Sequence, residues 1–275
     1  MPHFTTSDGK RLYYEDRGEG RPLICLAGLT RNCRDFSFLA PHLDELRMIA
    51  MDYRGRGRSD HDPDFTNYNI VQESRDVIDL IDHLELDRVA VLGTSRGGLI
   101  AMTLATSDAE RLDAVILNDI GPVVAPGGLE RIMGYVGLPP AARTLDEMAE
   151  TLKAAMEEEF PGVPLERWRE QASFQFEETA DGLALRYDAR LRDALLAQAE
   201  AGPAPDLWPL FEALSPLPTG VIRGANSDLL TAETLAEMQA RRPSLIAAEV
   251  PARGHVPFLD EPEALDVIRR VLDAP

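Results

Sequence analysis

The sequence predicts an α/β fold: a mostly parallel, doubly wound sheet with helices on both faces and a helical segment carried between two strands. Three observations lead there. Short apolar runs alternate with helix-period stretches over most of the chain, the pattern of parallel βαβ units. Several runs are continuously apolar, as in strands covered on both faces. The alternation then lapses between about Pro122 and Pro216, where helical patterns stand without convincing strands.

Taken in order, Phe4–Thr6 and Arg11–Glu15 flank Asp8-Gly9, a hairpin signal. Apolar runs follow at Leu23–Ala27, Met48–Met51, Val89–Leu92, Ala114–Leu117, Gly220–Ile222 and Ile246–Val250. Between them, helices are expected at Phe36–Leu46, Asn69–Leu86, Arg96–Ala105, Ala232–Arg241 and Pro262–Leu272. The interrupted stretch predicts helices near Leu145–Glu159, Leu165–Phe174, Leu183–Glu200 and Leu207–Leu214, punctuated by Gly/Pro pairs such as Pro126-Gly127-Gly128 and Pro161-Gly162. The expected partition is therefore a core of residues 1–121 and 216–275, with residues 122–215 as a cap inserted after strand 6.

Composition narrows the function classes. The 275 residues carry 28 Lys+Arg against 47 Asp+Glu, a formal charge of −19. Phosphate binding needs clustered cations, so nucleic acid and anionic membranes are not expected partners. The cap holds 17 acidic and 8 basic residues, about half of the net charge in a third of the chain. Cys25 and Cys33 cannot form a disulfide framework for a domain of this size, and no Cys/His grouping has zinc spacing. The polar start has no secretory pattern and no apolar run approaches the ~18 residues of a spanning helix. A cytoplasmic protein with reduced thiols is expected.

The chemistry centres on Gly93-Thr94-Ser95-Arg96-Gly97, set between an apolar run and a helical stretch. This is G-x-S-x-G, the sharp strand-to-helix turn that lifts a serine above the sheet at a helix N-terminus. A neutral serine needs a base, and His255 is the only histidine after Ser95, in the loop before the last helix. An acid should orient that imidazole. Asp228, in the loop after Gly220–Ile222, is the expected acid; Asp119, after Ala114–Leu117, is the alternative. An oxyanion hole needs two converging backbone N–H groups, expected from Arg96 and from Leu29 behind Gly28.

With these residues, the sequence resembles a Ser-dependent α/β-hydrolase with a helical cap, of the esterase and lipase-like class. Asp52-Tyr53-Arg54-Gly55-Arg56-Gly57-Arg58-Ser59 is similar to the D-x-R-G-x-G-x-S segment after strand 4 in that family. One departure is Ala27-Gly28, where family members usually carry His-Gly. The resemblance implies hydrolysis of a small or medium, mostly apolar carboxylic ester or lactone, with a small-molecule substrate and no metal or organic cofactor. C–C bond hydrolysis on the same triad is the alternative, and a non-catalytic receptor on a hydrolase scaffold a more distant one. Arg31, Trp168, Tyr187 and Trp208 are the expected substrate contacts. Arg31, Arg34, Arg54, Arg56, Arg58 and Arg96 are expected in or near the mouth, making it less acidic than the protein's average.

Overall fold

The computed structural model describes residues 2–202 and 205–274. Eight strands form one sheet: β1 (His3–Thr5), β2 (Arg11–Arg17), β3 (Arg21–Leu26), β4 (Leu46–Met51), β5 (Val89–Thr94), β6 (Leu112–Asn118), β9 (Thr219–Gly224) and β10 (Ile246–Val250). Their order is β1-β2-β4-β3-β5-β6-β9-β10, antiparallel at β1/β2 and β2/β4 and parallel elsewhere. The chain moves from β3 outward to β4, then returns to the other flank of β3 as β5. The strand order therefore reverses between β3 and β5, the kind of switch point at whose carboxyl edge open α/β sheets carry their sites.

Residue alternation within the continuous apolar runs sorts the two faces. Ile24, Leu26, Val89, Val91, Val115 and Leu117 face one layer, formed by α1 (Ile70–His83), α2 (Arg96–Ser107) and α8 (Ala232–Arg241). Leu23, Cys25, Leu92, Ala114 and Ile116 face the other, closed by α9 (Pro262–Leu272) and the segment around Phe36. Leu23, Ile24 and Leu26 are fully buried, each contributing about 1.5–3 kcal/mol relative to exposure. The helix expected over Phe36–Leu46 is instead two short 3-10 turns, Cys33–Phe36 and Ala40–His42. Pro41 opens the second turn, because a proline inside a helix loses a donor and clashes with the preceding turn.

Between β6 and β9 run α3 (Pro126–Tyr135), α4 (Leu145–Met156), α5 (Leu165–Gln175), a hairpin of β7 (Phe176–Thr179) and β8 (Gly182–Leu185), α6 (Leu191–Glu200) and α7 (Trp208–Glu212). The hairpin overturns the expectation that this stretch lacks strands and begins a helix at Leu183. It closes on Ala180-Asp181 with Thr179 paired to Gly182, whose φ of +121° a glycine accepts without strain. A helix also forms at Pro126–Tyr135, where Pro126-Gly127-Gly128 had signalled a break; the proline occupies the first turn, where its missing N–H costs no bond. Phe211 and Leu214, within the span expected as cap, are buried in the α1/α2 layer of the core.

Candidate active site

Ser95 stands alone between β5 and α2, with φ 50° and ψ −113°. Such backbone costs about 1–3 kcal/mol and persists only where its surroundings enforce it. Here glycines make the turn possible. A Cβ on Gly97 would sit 2.1 Å from the carbonyl oxygen of Leu26, and one on Gly93 2.3 Å from that of Gly97. Helix α2 therefore starts directly against β3 and β5, and the serine stands at the sheet edge where the strand order reverses.

His255 reaches this point from the loop between β10 and α9. Its Nε2 accepts from Ser95 Oγ at 3.0 Å, which places the ring proton on Nδ1, donating to Asp119 Oδ2 at 2.7 Å. The Asp119 carboxylate is wholly buried. Its other donors are the Gly224 N–H, at 2.7 Å to Oδ1, and Ser227 Oγ, at 2.6 Å to Oδ2. A buried carboxylate with this many donors is held in one orientation. Asn118 braces the same corner, donating from Nδ2 to Thr94 Oγ1 at 3.1 Å and to the Pro257 carbonyl at 3.2 Å.

The expected pairing of Asp228 with His255 is corrected by this geometry. Asp228 turns away and accepts from Arg131 of α3 at 2.7 Å, with both side chains about one-third exposed. Asp119 is the residue directly after β6 and its N–H donates to the Ile222 carbonyl of β9, so the sheet itself aims it. Asp228 lies four residues past the end of β9, beyond a turn in which the Ser227 N–H donates to the Gly224 carbonyl. Ser227, which sequence reasoning passed over in the same loop, is what faces the carboxylate.

The Gly28 turn and Arg96, which carry the two expected oxyanion donors, both lie beside Ser95. The Arg96 N–H is the first of α2 and has no partner within the helix. Leu29 follows Gly28 in a turn closed by Arg31 N–H donating to the Gly28 carbonyl at 3.1 Å. That turn passes close to the serine, since a Cβ on Gly28 would lie 4.0 Å from Ser95 Cβ.

The other expected contacts divide. Arg31 donates to Gln171 Oε1 of α5 at 2.6 Å, tying the Gly28 turn to the inserted segment. Trp168 is buried in a cluster with Phe160, Val163 and Phe258, its ring edge-on to Phe160 and Phe258. It packs α5 onto the loop that carries His255. Tyr187 is buried beside Tyr68 and Leu191 with Leu29 at the margin, and its hydroxyl accepts from the Gly137 N–H at 3.1 Å. Trp208 stands edge-on to Phe211 and beneath the Arg241 guanidinium, 3.6 Å from its ring centre. Among the described residues no hydrogen bond or ring contact joins it to Ser95, His255 or Asp119.

Of the six arginines expected in or near the mouth, three are internal while Arg31 and Arg34 are half-buried and Arg58 is exposed. Arg54 and Arg56 are fully buried and Arg96 nearly so. Arg54 pairs with Asp76, Asp62 and Asp8, and Glu73 lies between Arg56 and Arg96. Burial alone would push the Glu73 carboxyl up, but the two guanidinium groups hold it below its ordinary value. These charges are internal struts. Among the described residues no group of three or more His, Cys, Asp or Glu side chains is arranged to hold a metal ion, and no helix is long and apolar enough to cross a membrane.

Comparison with known proteins agrees with this architecture. The model of the alpha/beta hydrolase family matches residues 23–266. A 3-hydroxybutyrate-oligomer hydrolase from Cupriavidus necator is 38% identical, with 94% of this chain and 91% of that protein aligned. A 2-(acetamidomethylene)succinate hydrolase from Mesorhizobium japonicum is 27% identical, over 96% of this chain and 92% of that protein. The crystal structure of an alpha/beta hydrolase from Novosphingobium aromaticivorans superposes with a TM-score of 0.92 at 39% identity, covering 99% of this chain and 97% of that one. On sequence pattern, sheet topology and these relatives alike, the chain belongs to the alpha/beta hydrolase family.

Proposed function

We propose that the protein is a serine hydrolase that cleaves a carboxylic ester or lactone through an acyl-enzyme on Ser95. The observation that carries this reading is the continuous relay from Asp119 through His255 to Ser95, with contacts of 2.7 and 3.0 Å. In the first half-reaction His255 Nε2 takes the Ser95 proton as Oγ attacks the ester carbonyl carbon. The resulting oxyanion is held by the N–H groups of Leu29 and Arg96. His255 then gives its proton to the leaving alcohol as the C–O bond breaks. Water, deprotonated by His255, attacks the acyl-enzyme; collapse frees the carboxylic acid and returns the proton to Ser95. Asp119 holds the imidazole tautomer and stabilises the imidazolium.

In this reading residues 122–215 act as a cap over the site, and Trp168 and Arg31 anchor α5 against the catalytic loops. The substrate is a small or medium, mostly apolar ester. Similarity to a hydrolase of 3-hydroxybutyrate oligomers supports an ester bond between hydroxy-acid units as the first candidate.

The test is labelling with a fluorophosphonate probe, followed by peptide mapping. Ser95 is expected to be the modified residue, and Ser95→Ala to be unlabelled and to lose turnover by about 10⁶-fold. Folded wild-type protein left unlabelled overturns the reading. A panel of a short-chain aryl ester, a 3-hydroxybutyrate dimer, a lactone and a vinylogous diketone then separates ester from C–C bond cleavage.

A further inference from the structure

We infer that Glu73 and Arg56 are positioning residues that lock the two halves of the oxyanion hole to each other through a buried Arg96–Glu73–Arg56–Leu29 chain. The inference rests on the hydrolase reading above and extends it to residues outside the triad. Glu73 Oε2 accepts from Arg96 Nε at 2.5 Å, and its Oε1 accepts from Arg56 NH1 at 2.7 Å. Arg56 Nε in turn donates to the Leu29 carbonyl at 2.9 Å. Arg96 follows the nucleophile and Leu29 is the donor from the neighbouring strand's loop, so one carboxylate on α1 joins both.

The geometry fixes peptide orientation and does more than bring elements together. On one side of the Leu29 Cα, the Gly28 carbonyl accepts from Arg31 N–H at 3.1 Å; on the other, the Leu29 carbonyl accepts from Arg56. Both peptides flanking Leu29 are thus held, and the direction of its N–H with them. On the helix side, the Arg96 guanidinium donates to Glu73 and to the Tyr68 carbonyl at 3.2 Å, which prevents the first turn of α2 from rotating.

Stability alone is a poor reason to keep this arrangement. Glu73 and Arg56 are fully buried, and Arg56 NH2 has no acceptor among the described residues. A buried donor left unsatisfied costs about 1–3 kcal/mol. Buried Arg–Glu–Arg groups are commonly no more stabilising than apolar side chains of the same volume. What they supply is directional, and an oxyanion hole is where direction matters: losing one donor costs about 10²–10³ in kcat.

The experiment compares Glu73→Gln and Arg56→Lys with wild type on an ester that wild type hydrolyses. Each is measured for kcat, KM, the pH profile, and affinity for a boronic acid that mimics the tetrahedral intermediate. Arg56→Lys keeps the charge beside Glu73 but lacks the Nε–H that reaches Leu29. The expected result is a kcat lower by about 10²-fold in Glu73→Gln and about 10-fold in Arg56→Lys. KM should stay within about threefold, and boronate affinity should fall in proportion to kcat/KM. The shape of the pH profile should not change, because the contacts of the Asp119–His255–Ser95 relay are untouched. A folded Arg56→Lys with wild-type kcat and boronate affinity overturns the inference, and decides the matter even if Glu73→Gln fails to fold. The hydrolase reading fails separately, by a wild-type protein that turns over no substrate of the panel and takes no label.

Discussion

The sheet core and the segment inserted between β6 and β9 are held by different interactions. In the core, β3, β5 and β6 are buried on both faces, and their alternate residues fill two apolar layers. The inserted helices bury much less. They meet the core through Trp168 against Phe258, Arg31 on Gln171, Arg131 on Asp228, and Asn32 Nδ2 donating to the Phe174 carbonyl at 2.6 Å. The hydrogen-bonded Asp119–His255–Ser95 relay lies on one side of the same line. Ser95, His255 and Asp119 all stand on loops at the sheet edge, and none belongs to the insertion.

Breaking the core side at the site should have the largest effect. Asp119→Asn is expected to lower kcat by about 10⁴-fold by upsetting the imidazole tautomer, while Asp228→Asn stays within about threefold, its exposed ion pair contributing about 1 kcal/mol or less. Steady-state kinetics on one ester read both, and the reverse ranking would restore Asp228 as the acid. Next comes Gly97→Ala. The added Cβ meets backbone, not a yielding side chain, so destabilisation of about 4 kcal/mol or more is expected in urea unfolding. A wild-type midpoint would show that α2 can retreat from β3.

Trp168→Ala tests the insertion, with a cost of about 3–5 kcal/mol for a buried aromatic. Hydrogen exchange should show the loss confined to α4, α5 and the Phe258 loop, with amides of β3, β5 and β6 still protected. Uniform loss of protection would mean that the two regions unfold as one. The smallest expected effect is in pH. Glu73 is held below its ordinary value of 4.5, so the folded state binds fewer protons than the unfolded one. Its contribution is full above about pH 4.5 and is lost as pH falls through the folded value. The Tm difference between wild type and Glu73→Gln should therefore narrow below pH 4.5. A constant difference would show that the charge of Glu73 contributes nothing.

Much of this was legible in the sequence where a local rule has one solution. Ala232–Arg241, Pro262–Leu272 and Ile246–Val250 form with the expected bounds, since a single amphipathic period or apolar run decides each. The turn around Ser95 was legible because its glycines admit few other geometries. The β7/β8 hairpin was not, its four-residue strands having too little alternation to outweigh helix-favouring Glu, Leu and Ala. Arg54 and Arg56 of the Asp52–Ser59 loop differ from expectation for another reason. Charge in a loop normally means solvent, and only burial beside Glu73 and Asp76 makes these residues internal.

By itself, then, the sequence determined the α/β architecture, the serine at its turn and the histidine that must follow it. These depend on local periodicity, on backbone freedom at glycine, and on there being one late histidine. Only the tertiary structure decided which aspartate meets that histidine, and that Glu73 joins Arg56 to Arg96. Asp119 and Asp228 are both acids in loops leaving neighbouring strands at the same edge. A carboxylate acts over about 3 Å, while a four-residue loop can carry it several times that distance in any direction. The choice between them lies in how β6 and β9 register against each other, and single-chain spacing does not encode that.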